Sequence, residues 1–562
     1  MNKPRRAVLG AVAALVLLSF AGVLLAHWLS NPERLKRHAR EQAREAWGRE
    51  LTIRDLVLVW LPLPALHATD VTLARLPGDD DSWELNADRA ILGLELLPLL
   101  IGKARPRNLQ LEGIVDRQGR KVKVIASLHD ISRYGQPDAV SEGKVELDWG
   151  MTRVILDGRI PLQARLRGAA FKAVLESQGL NDFIGFFGIE RPRATAPARA
   201  TLALRNTGER IELSDVEATV GGLTVTGEAR IATSGQKPVI DARVQSERLD
   251  WAQALLWAGE MPVAPLPPDQ VLYDRPIAWP LLVALQGKQG SIEVRLGTLR
   301  VRNGIELSHV KADMTFDDDI LEVKTFTANL LGGSAKGAMH FEGRKKAVQV
   351  NVEGTHLLLE RWFKERGSNA KFTGGPMAIT AKLAATGESL RDLSKVMNGT
   401  IAVRMGPGTY VSQKAGDAEA KMVSFSDKGS AGGIAFECAS GVLPFTHGLA
   451  VGNAIIGARS HLTRLLTSGH VSMRDVAVDL RGRLRKKPGL GTGYADIAKD
   501  IRIAGNLRNM KVSLDPADAG KRTLRAGAAI ATLGLSLAAS SAADAGQGDV
   551  DPCAAVFEAA HR

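Results

Sequence analysis

The residues of this chain that could carry chemistry do not fall into any familiar catalytic spacing. The sequence has 11 histidines, but no His-Glu-x-x-His pattern and no close histidine pair that suits zinc. It has no Gly-x-Ser-x-Gly nucleophile turn and no phosphate-binding loop. The acidic runs at 78–82 and 316–320 lack calcium-loop spacing, and the glycines at 489–493 do not follow a strand. We predict no catalytic residue, no metal site and no cofactor, and expect a protein that is not an enzyme.

The two cysteines, Cys438 and Cys553, allow two interpretations. In an exported protein they can form one disulfide. Such a bond would tie the C-terminal tail to the body, and loop entropy would contribute about 4–5 kcal/mol of stability. Alternatively, they are two unrelated buried thiols.

The charge balance is basic, with a formal net charge of +12 over 562 residues and a pI near 9.6. Either this is an ordinary solvated surface, or it attracts an anionic partner such as a membrane. The lysines and arginines are spread singly along the chain, and no nucleic-acid-binding motif accompanies them. We therefore expect no nucleic-acid partner.

The N-terminus predicts a membrane anchor. After "MNKPRR", an apolar run extends from Ala7 to Ala26 through Leu15, Leu18 and Phe20, which is about the 20 residues that a transmembrane helix needs. A cleaved signal peptide is the alternative, but a cut after Ala26 would place Leu24 where a small residue is preferred. We expect a single-pass anchor with a cytoplasmic N-terminus and an exported body.

A helix is predicted directly after this anchor, from Pro32 to Trp47. Asn31 is a suitable N-cap with proline in the first helical position, and Leu35, Ala39 and Ala43 recur at helical spacing. The other faces are rich in arginine and glutamate. We expect the basic side of this helix to lie on lipid headgroups.

Strand alternation dominates the rest of the chain. In "SIEVRLGTLRV", from residue 291 to 301, apolar residues alternate with charged ones, so each strand has an apolar face and a charged face. The residues that we expect on the apolar face are Val145, Leu147, Ile292, Val294, Leu296, Val301, Val348, Val350 and Val352. Alternation alone also fits a two-layer sandwich, in which such faces bury each other.

A degenerate repeat points to stacked β-units rather than one closed globule. The segment 212–231, "ELSDVEATVGGLTVTGEARI", resembles "ELSHVKADM" at 306–314 followed by "ANLLGGSAKGAMHF" at 328–341. We align Gly221-Gly222 with Gly332-Gly333 at matching turns. Short helices are expected at 251–259, 389–397 and 525–538, and a proline-rich linker at 261–270.

The order of several motifs resembles the AsmA family of Gram-negative inner-membrane proteins. They are the anchor, the block "ADRAILGLELLPLLIGKARPRNLQLEG", the stretch "FTGGPMAITAKLAATGESLRDLSKVMNGTIAVRMGPGTY", and a cysteine close to the C-terminus. Cys438 and Cys553 would occupy the two cysteine positions of the family. The resemblance covers most of the chain and is weakest from about 115 to 195.

This resemblance implies a mainly β fold. AsmA-like proteins are similar to TamB and to the bridge-like lipid-transfer proteins, so the transmembrane helix would be followed by an elongated, twisted antiparallel sheet with a few short helices. The sheet would curve into an apolar groove. Its predicted regions are the cytoplasmic tip and anchor (1–30), the N-terminal β region (31–115), middle repeats (116–260), a second repeat unit (261–372) and a C-terminal region with an alanine-rich helix (373–562).

The implied function is outer-membrane biogenesis. The chain would be anchored in the inner membrane, extend into the periplasm and carry phospholipids along the groove towards the outer membrane. The alternative is an assembly factor that affects outer-membrane protein insertion through protein contacts, with outer-membrane assembly components as partners. The alanine-rich stretch 526–543 is expected to be a packed or interfacial helix rather than a second span.

Overall fold

The computed structural model describes residues 32–76, 83–100, 105–117, 119–133, 139–162, 167–179, 196–257, 272–274, 276–277, 285–301, 305–365, 371–411, 434–461, 463–486, 499–507, 509–514 and 550–560. It divides the chain into two compact units, residues 1–245 with 255–260, and residues 246–254 with 261–562. The predicted anchor, the linker at 261–270 and the helix at 525–538 lie outside the described residues. Among the described helices, none has both the length and the apolar character needed to cross a bilayer.

The first unit begins with a helix and continues as an antiparallel meander, as alternation predicts. Each strand pairs with the next one in the chain. The elements are α1 (Pro32–Trp47), β1 (Leu51–Val59), β2 (Ala65–Leu73), β3 (Glu84–Leu94), α2 (Leu96–Leu100), β4 (Pro106–Arg117), β5 (Arg120–His129), β6 (Val140–Trp149), β7 (Thr152–Pro161), β8 (Ala170–Ser177), β9 (Ala198–Asn206), β10 (Arg210–Val220), β11 (Leu223–Ala232) and β12 (Val239–Asp250), which belongs to this unit through Gln245.

The second unit is also an antiparallel meander, with one small separate sheet. Its elements are α3 (Trp251–Trp257, divided between the units), β13 (Gln289–Arg300), β14 (Glu306–Asp317), β15 (Ile320–Leu330), β16 (Gly333–Glu342), β17 (Ala347–Leu358), α4 (Leu359–Glu365), β18 (Lys371–Gly374), β19 (Pro376–Thr386), α5 (Leu390–Val396), β20 (Asn398–Met405), β21 (Gly408–Val411), β22 (Ile434–Phe436), β23 (Cys438–Thr446), β24 (Leu449–Arg459), β25 (Thr463–Ser472), β26 (Ala477–Lys486), β27 (Lys499–Asn506), β28 (Asn509–Leu514) and α6 (Pro552–Ala560). Strands β18, β21 and β22 form the small sheet.

The fold is therefore mainly β and antiparallel, which confirms the prediction at this level. Because the described strands of each unit pair with their neighbours in chain order, apart from the small sheet, they do not form the two-layer sandwich that alternation alone permits. Helix α1 has the bounds expected from sequence, and α5 lies within the expected range 389–397, with Ser389 and Met397 as its caps. The Ser389 side chain accepts a hydrogen bond from the Asp392 backbone N–H and so caps α5.

The internal repeat is present in the backbone. Asp215 and His309 occupy equivalent repeat positions, and both adopt left-handed φ angles, of 50° and 53°, in a region where aspartate and histidine are enriched. Both lie at a register shift in their strand.

The alignment of the two repeat copies from sequence was wrong at the turn. The repeated hairpin turns are Gly221-Gly222 and Leu331-Gly332, since Val220 pairs with Leu223 and Leu330 pairs with Gly333. Gly222 therefore matches Gly332, with φ angles of 88° and 80°. The predicted alignment was shifted by one residue. The feature that the two turns share is a glycine with a positive φ angle at the second turn position.

Candidate functional site: the apolar sheet faces

In the first unit, the strand register places apolar residues opposite one another from strand to strand. One such row crosses β1 to β11 through Ile53, Val71, Ala87, Gly113, Val124, Leu147, Val154, Leu175, Ala200, Ala218 and Val225. Because facing residues of an antiparallel pair point to the same side of the sheet, this row forms an unbroken apolar face.

The second unit contains an equivalent row, which we call the floor row. It runs through Ile292, Met314, Val323, Met339, Val350, Leu383 and Gly399. The seven strands β13 to β17, β19 and β20 are separated by six steps of about 4.8 Å, so the row is about 29 Å long.

The floor row is half-exposed, whereas residues towards both strand ends are buried. Every side-chain-bearing member of the floor row has intermediate burial. On the same strands, Leu296 and Val310 are buried on one side of the row, and Phe316 and Phe341 on the other. The apolar face therefore stays open along its middle and is closed along its margins.

An open concavity of about 670 Å³ lies along the floor row. Val323, Met339, Val350 and Leu383 line it, together with the residues that flank them on each strand. The side chains along its middle are apolar, so the concavity suits an apolar ligand better than a charged one.

The opposite faces carry exposed ion pairs between neighbouring strands. Arg243 pairs with Glu228 at 2.7 Å, and Lys336 pairs with Glu353 at 3.0 Å. Arg502 donates two hydrogen bonds to the Asp479 carboxylate, at 2.9 and 2.8 Å, and these bonds lower the pKa of Asp479. Each sheet therefore has one face suited to water and one suited to hydrocarbon.

Helix α1 covers the first strands of the apolar face in the first unit. Leu35 and Ala39 pack against Ile53, Leu56 and Ala68. The Lys36 ammonium donates a hydrogen bond of 2.7 Å to the Arg54 carbonyl, which fixes the helix to β1. The sequence predicted this helix, and its apolar side packs on protein. The expected contact of its basic side with lipid headgroups stays a prediction.

Cys438 and Cys553 are joined in a disulfide. The bond holds α6 against β23 and β24, where the Ser440 hydroxyl donates to the Cys553 carbonyl at 3.0 Å. Ser440 is opposite Gly457 in the sheet, next to the floor-side residues Gly441 and Ile456. Because neighbouring residues alternate between faces, α6 docks on the face away from the floor row. Helix α6 was not predicted from the sequence.

The structure places the residues that were predicted to lie on the apolar face as follows. Val145 and Leu147 lie on the apolar face of the first unit; Ile292, Val294, Leu296, Val348, Val350 and Val352 lie on that of the second. Val301 lies one residue beyond β13, where its backbone N–H donates a hydrogen bond of 2.9 Å to the Ile305 carbonyl. The anchor residues Ala7, Leu15, Leu18, Phe20 and Ala26 are outside the described residues. Met314, Val323, Met339 and Leu383 were missed, although their strands alternate in the same way.

The comparison with protein families links the N-terminal part of the chain to one family. The sequence model of the AsmA family matches residues 1–120, about a fifth of the chain. Over that segment the chain is similar to the AsmA family. No curated protein and no solved structure matches the chain. The AsmA segment contains α1, α2 and the first four strands, including the part of the apolar face that α1 covers.

Proposed function

We propose that this protein carries phospholipids along the apolar faces of its sheets. The observation that supports the proposal best is the unbroken, half-exposed floor row between buried margins. Acyl chains would cover the row while headgroups remain in water, and the step needs no covalent chemistry, cofactor or metal.

The dimensions are consistent with this cargo. A bilayer's hydrocarbon core of about 30 Å contains two layers of acyl chains, so each chain is about 15 Å long. The floor row, at about 29 Å, therefore has room for roughly two chains end to end.

The proposed location is the inner membrane, with a cytoplasmic N-terminus and a periplasmic body, and the proposed role is outer-membrane biogenesis. The AsmA segment, the apolar run at 7–26 and the disulfide support it. Alkaline phosphatase fused to the C-terminus should be active in whole cells. An inactive phosphatase on a stable fusion would contradict a periplasmic body.

Photo-crosslinking tests the cargo. A diazirine amino acid at Val350, on the floor row, should capture phospholipid in intact cells. One at Ala378, exposed on the other face of the neighbouring strand β19 and outside the concavity, should not. Equal capture at both positions would contradict a lipid floor. Capture of a protein at Val350 would favour the assembly-factor alternative.

A further inference from the structure

A group of exposed leucines lies at one end of the first unit. Leu61 and Leu97, with 82% and 78% of their surface exposed, are the most exposed large apolar side chains among the described residues. Leu63, Leu96 and Val57 are also exposed. We call these five residues the leucine tip.

Two loops bring the leucine tip together. Leu61 and Leu63 lie between β1 and β2, and Leu96 and Leu97 follow β3 in α2. The first residue of β2, Ala65, pairs with Gly93, and the Leu94 N–H donates to the Pro64 carbonyl at 2.8 Å. The two loops are therefore neighbours at the same end of the strands.

The start of α1 is directed towards this end. Only residues 48–50 join α1 to β1, so the helix must run back along the strand. Its 16 residues span about 24 Å, and β1, with nine residues, spans about 30 Å. Lys36 contacts the Arg54 carbonyl in β1, and Pro32 precedes it by about one helical turn. The start of α1 therefore points along β1 towards the end that leads to Leu61.

The short distance between the apolar run and α1 indicates what covers the leucine tip. The apolar run ends at Ala26, six residue steps before Pro32, and six extended residues reach about 20 Å at most. A bilayer that holds this run is therefore close to the leucines. The exposed Arg105 and Arg107 flank α2 and complement anionic headgroups.

We infer that the leucine tip inserts into the surface of the bilayer that holds the anchor. The exposed leucines then have an apolar environment, which water does not provide. The inference rests on the proposed membrane location but not on lipid transport. It does place one end of the first unit's strands in a leaflet.

The test uses the full chain, reconstituted either in nanodiscs of phosphatidylethanolamine with about one quarter phosphatidylglycerol or in amphipol without a bilayer. A diazirine amino acid replaces Leu97. The matched control replaces Met151, which is 58% exposed in the β6–β7 turn at the opposite end of the strands. In nanodiscs, we expect lipid capture at Leu97 to exceed that at Met151 about tenfold. In amphipol it should fall to the Met151 value.

A second variant tests insertion directly. With the probe at Leu97, Leu61→Glu should reduce lipid capture at least about threefold, because a carboxylate in the neighbouring loop resists entry into the bilayer. Met151→Glu should leave it unchanged. Capture at Leu97 no higher than at Met151, or capture of protein instead of lipid, would overturn the inference. A probe at Val350 reports cargo separately, since groove-bound lipid should persist in amphipol.

Discussion

Val350→Glu is the most direct perturbation of the proposed conduit. Val350 lies in the middle of the floor row, between Met339 and Leu383, and lines the concavity. In the empty groove its carboxylate would remain in water. Because the valine is only half-buried, its loss should cost about 1 kcal/mol of folding free energy, roughly half the value for full burial.

The same carboxylate should strongly oppose lipid binding. An acyl chain over the floor would remove water from an ionised group, at a cost of several kcal/mol. If this cost is about 3 kcal/mol, which is a modest value, the affinity of the groove for lipid at Val350 should fall more than about 100-fold. Ala378→Glu adds the same charge to the exposed, opposite face of the neighbouring strand β19, outside the concavity. It should change the free energy of unfolding by no more than about 0.5 kcal/mol and leave the lipid content unchanged.

Two measurements separate these effects. Urea unfolding gives the stability of each variant, and mass spectrometry of an organic extract gives phospholipids per chain, with transfer between donor and acceptor liposomes as the functional readout. We expect Val350→Glu to be folded but depleted of lipid and inactive in transfer. If it retains the wild-type lipid content, or if Ala378→Glu is depleted equally, the reasoning about the floor row is refuted.

Three further predictions concern α6 and the charged face. Cys553→Ser should lower the free energy of unfolding by about 2–5 kcal/mol under oxidising conditions, and a reductant should abolish the difference from wild type. Gly457→Ala should detach α6, since a Cβ there would lie 2.0 Å from the Pro552 carbonyl oxygen; hydrogen exchange in α6 should rise, and an unchanged rate would contradict the packing. Asp479→Asn should cost about 0.5–1 kcal/mol at pH 7. Because Arg502 lowers the pKa of Asp479, this cost should begin to shrink in urea unfolding curves as the pH falls below about 4 and should vanish once the pH is below the lowered pKa of the folded state. A cost at pH 3 as large as that at pH 7 would contradict it.

Local sequence was sufficient to predict the strands and the side of each strand that is apolar. Alternation placed Val348, Val350 and Val352 on one face because side-chain direction has a period of two. It could not identify which residue of β16 lies opposite Val350. The register shifts at Asp215 and His309 depend on single left-handed residues that a pattern of apolar positions does not reveal.

The sequence did not reveal which elements that are distant in the chain pack against each other. Helix α6 docks on β23 and β24, about a hundred residues away in the chain, and its short sequence shows no pattern specific to that site. The leucine tip was missed for a related reason. "ELLPLLIGK" resembles a buried apolar turn, since composition does not indicate whether another element covers it.

The floor row also has a defined limit in the second unit. Beyond Gly399 the same register continues to Phe445, Ala450, Val471 and Val478, which are buried together in a closed cluster. The face thus changes from half-exposed to closed within one strand step, between β20 and β23. A lipid that follows the row from β13 must leave it at β20 or displace Phe445. Since a closely packed cluster resists such displacement, β20 is the position at which cargo in this unit should accumulate or exit sideways.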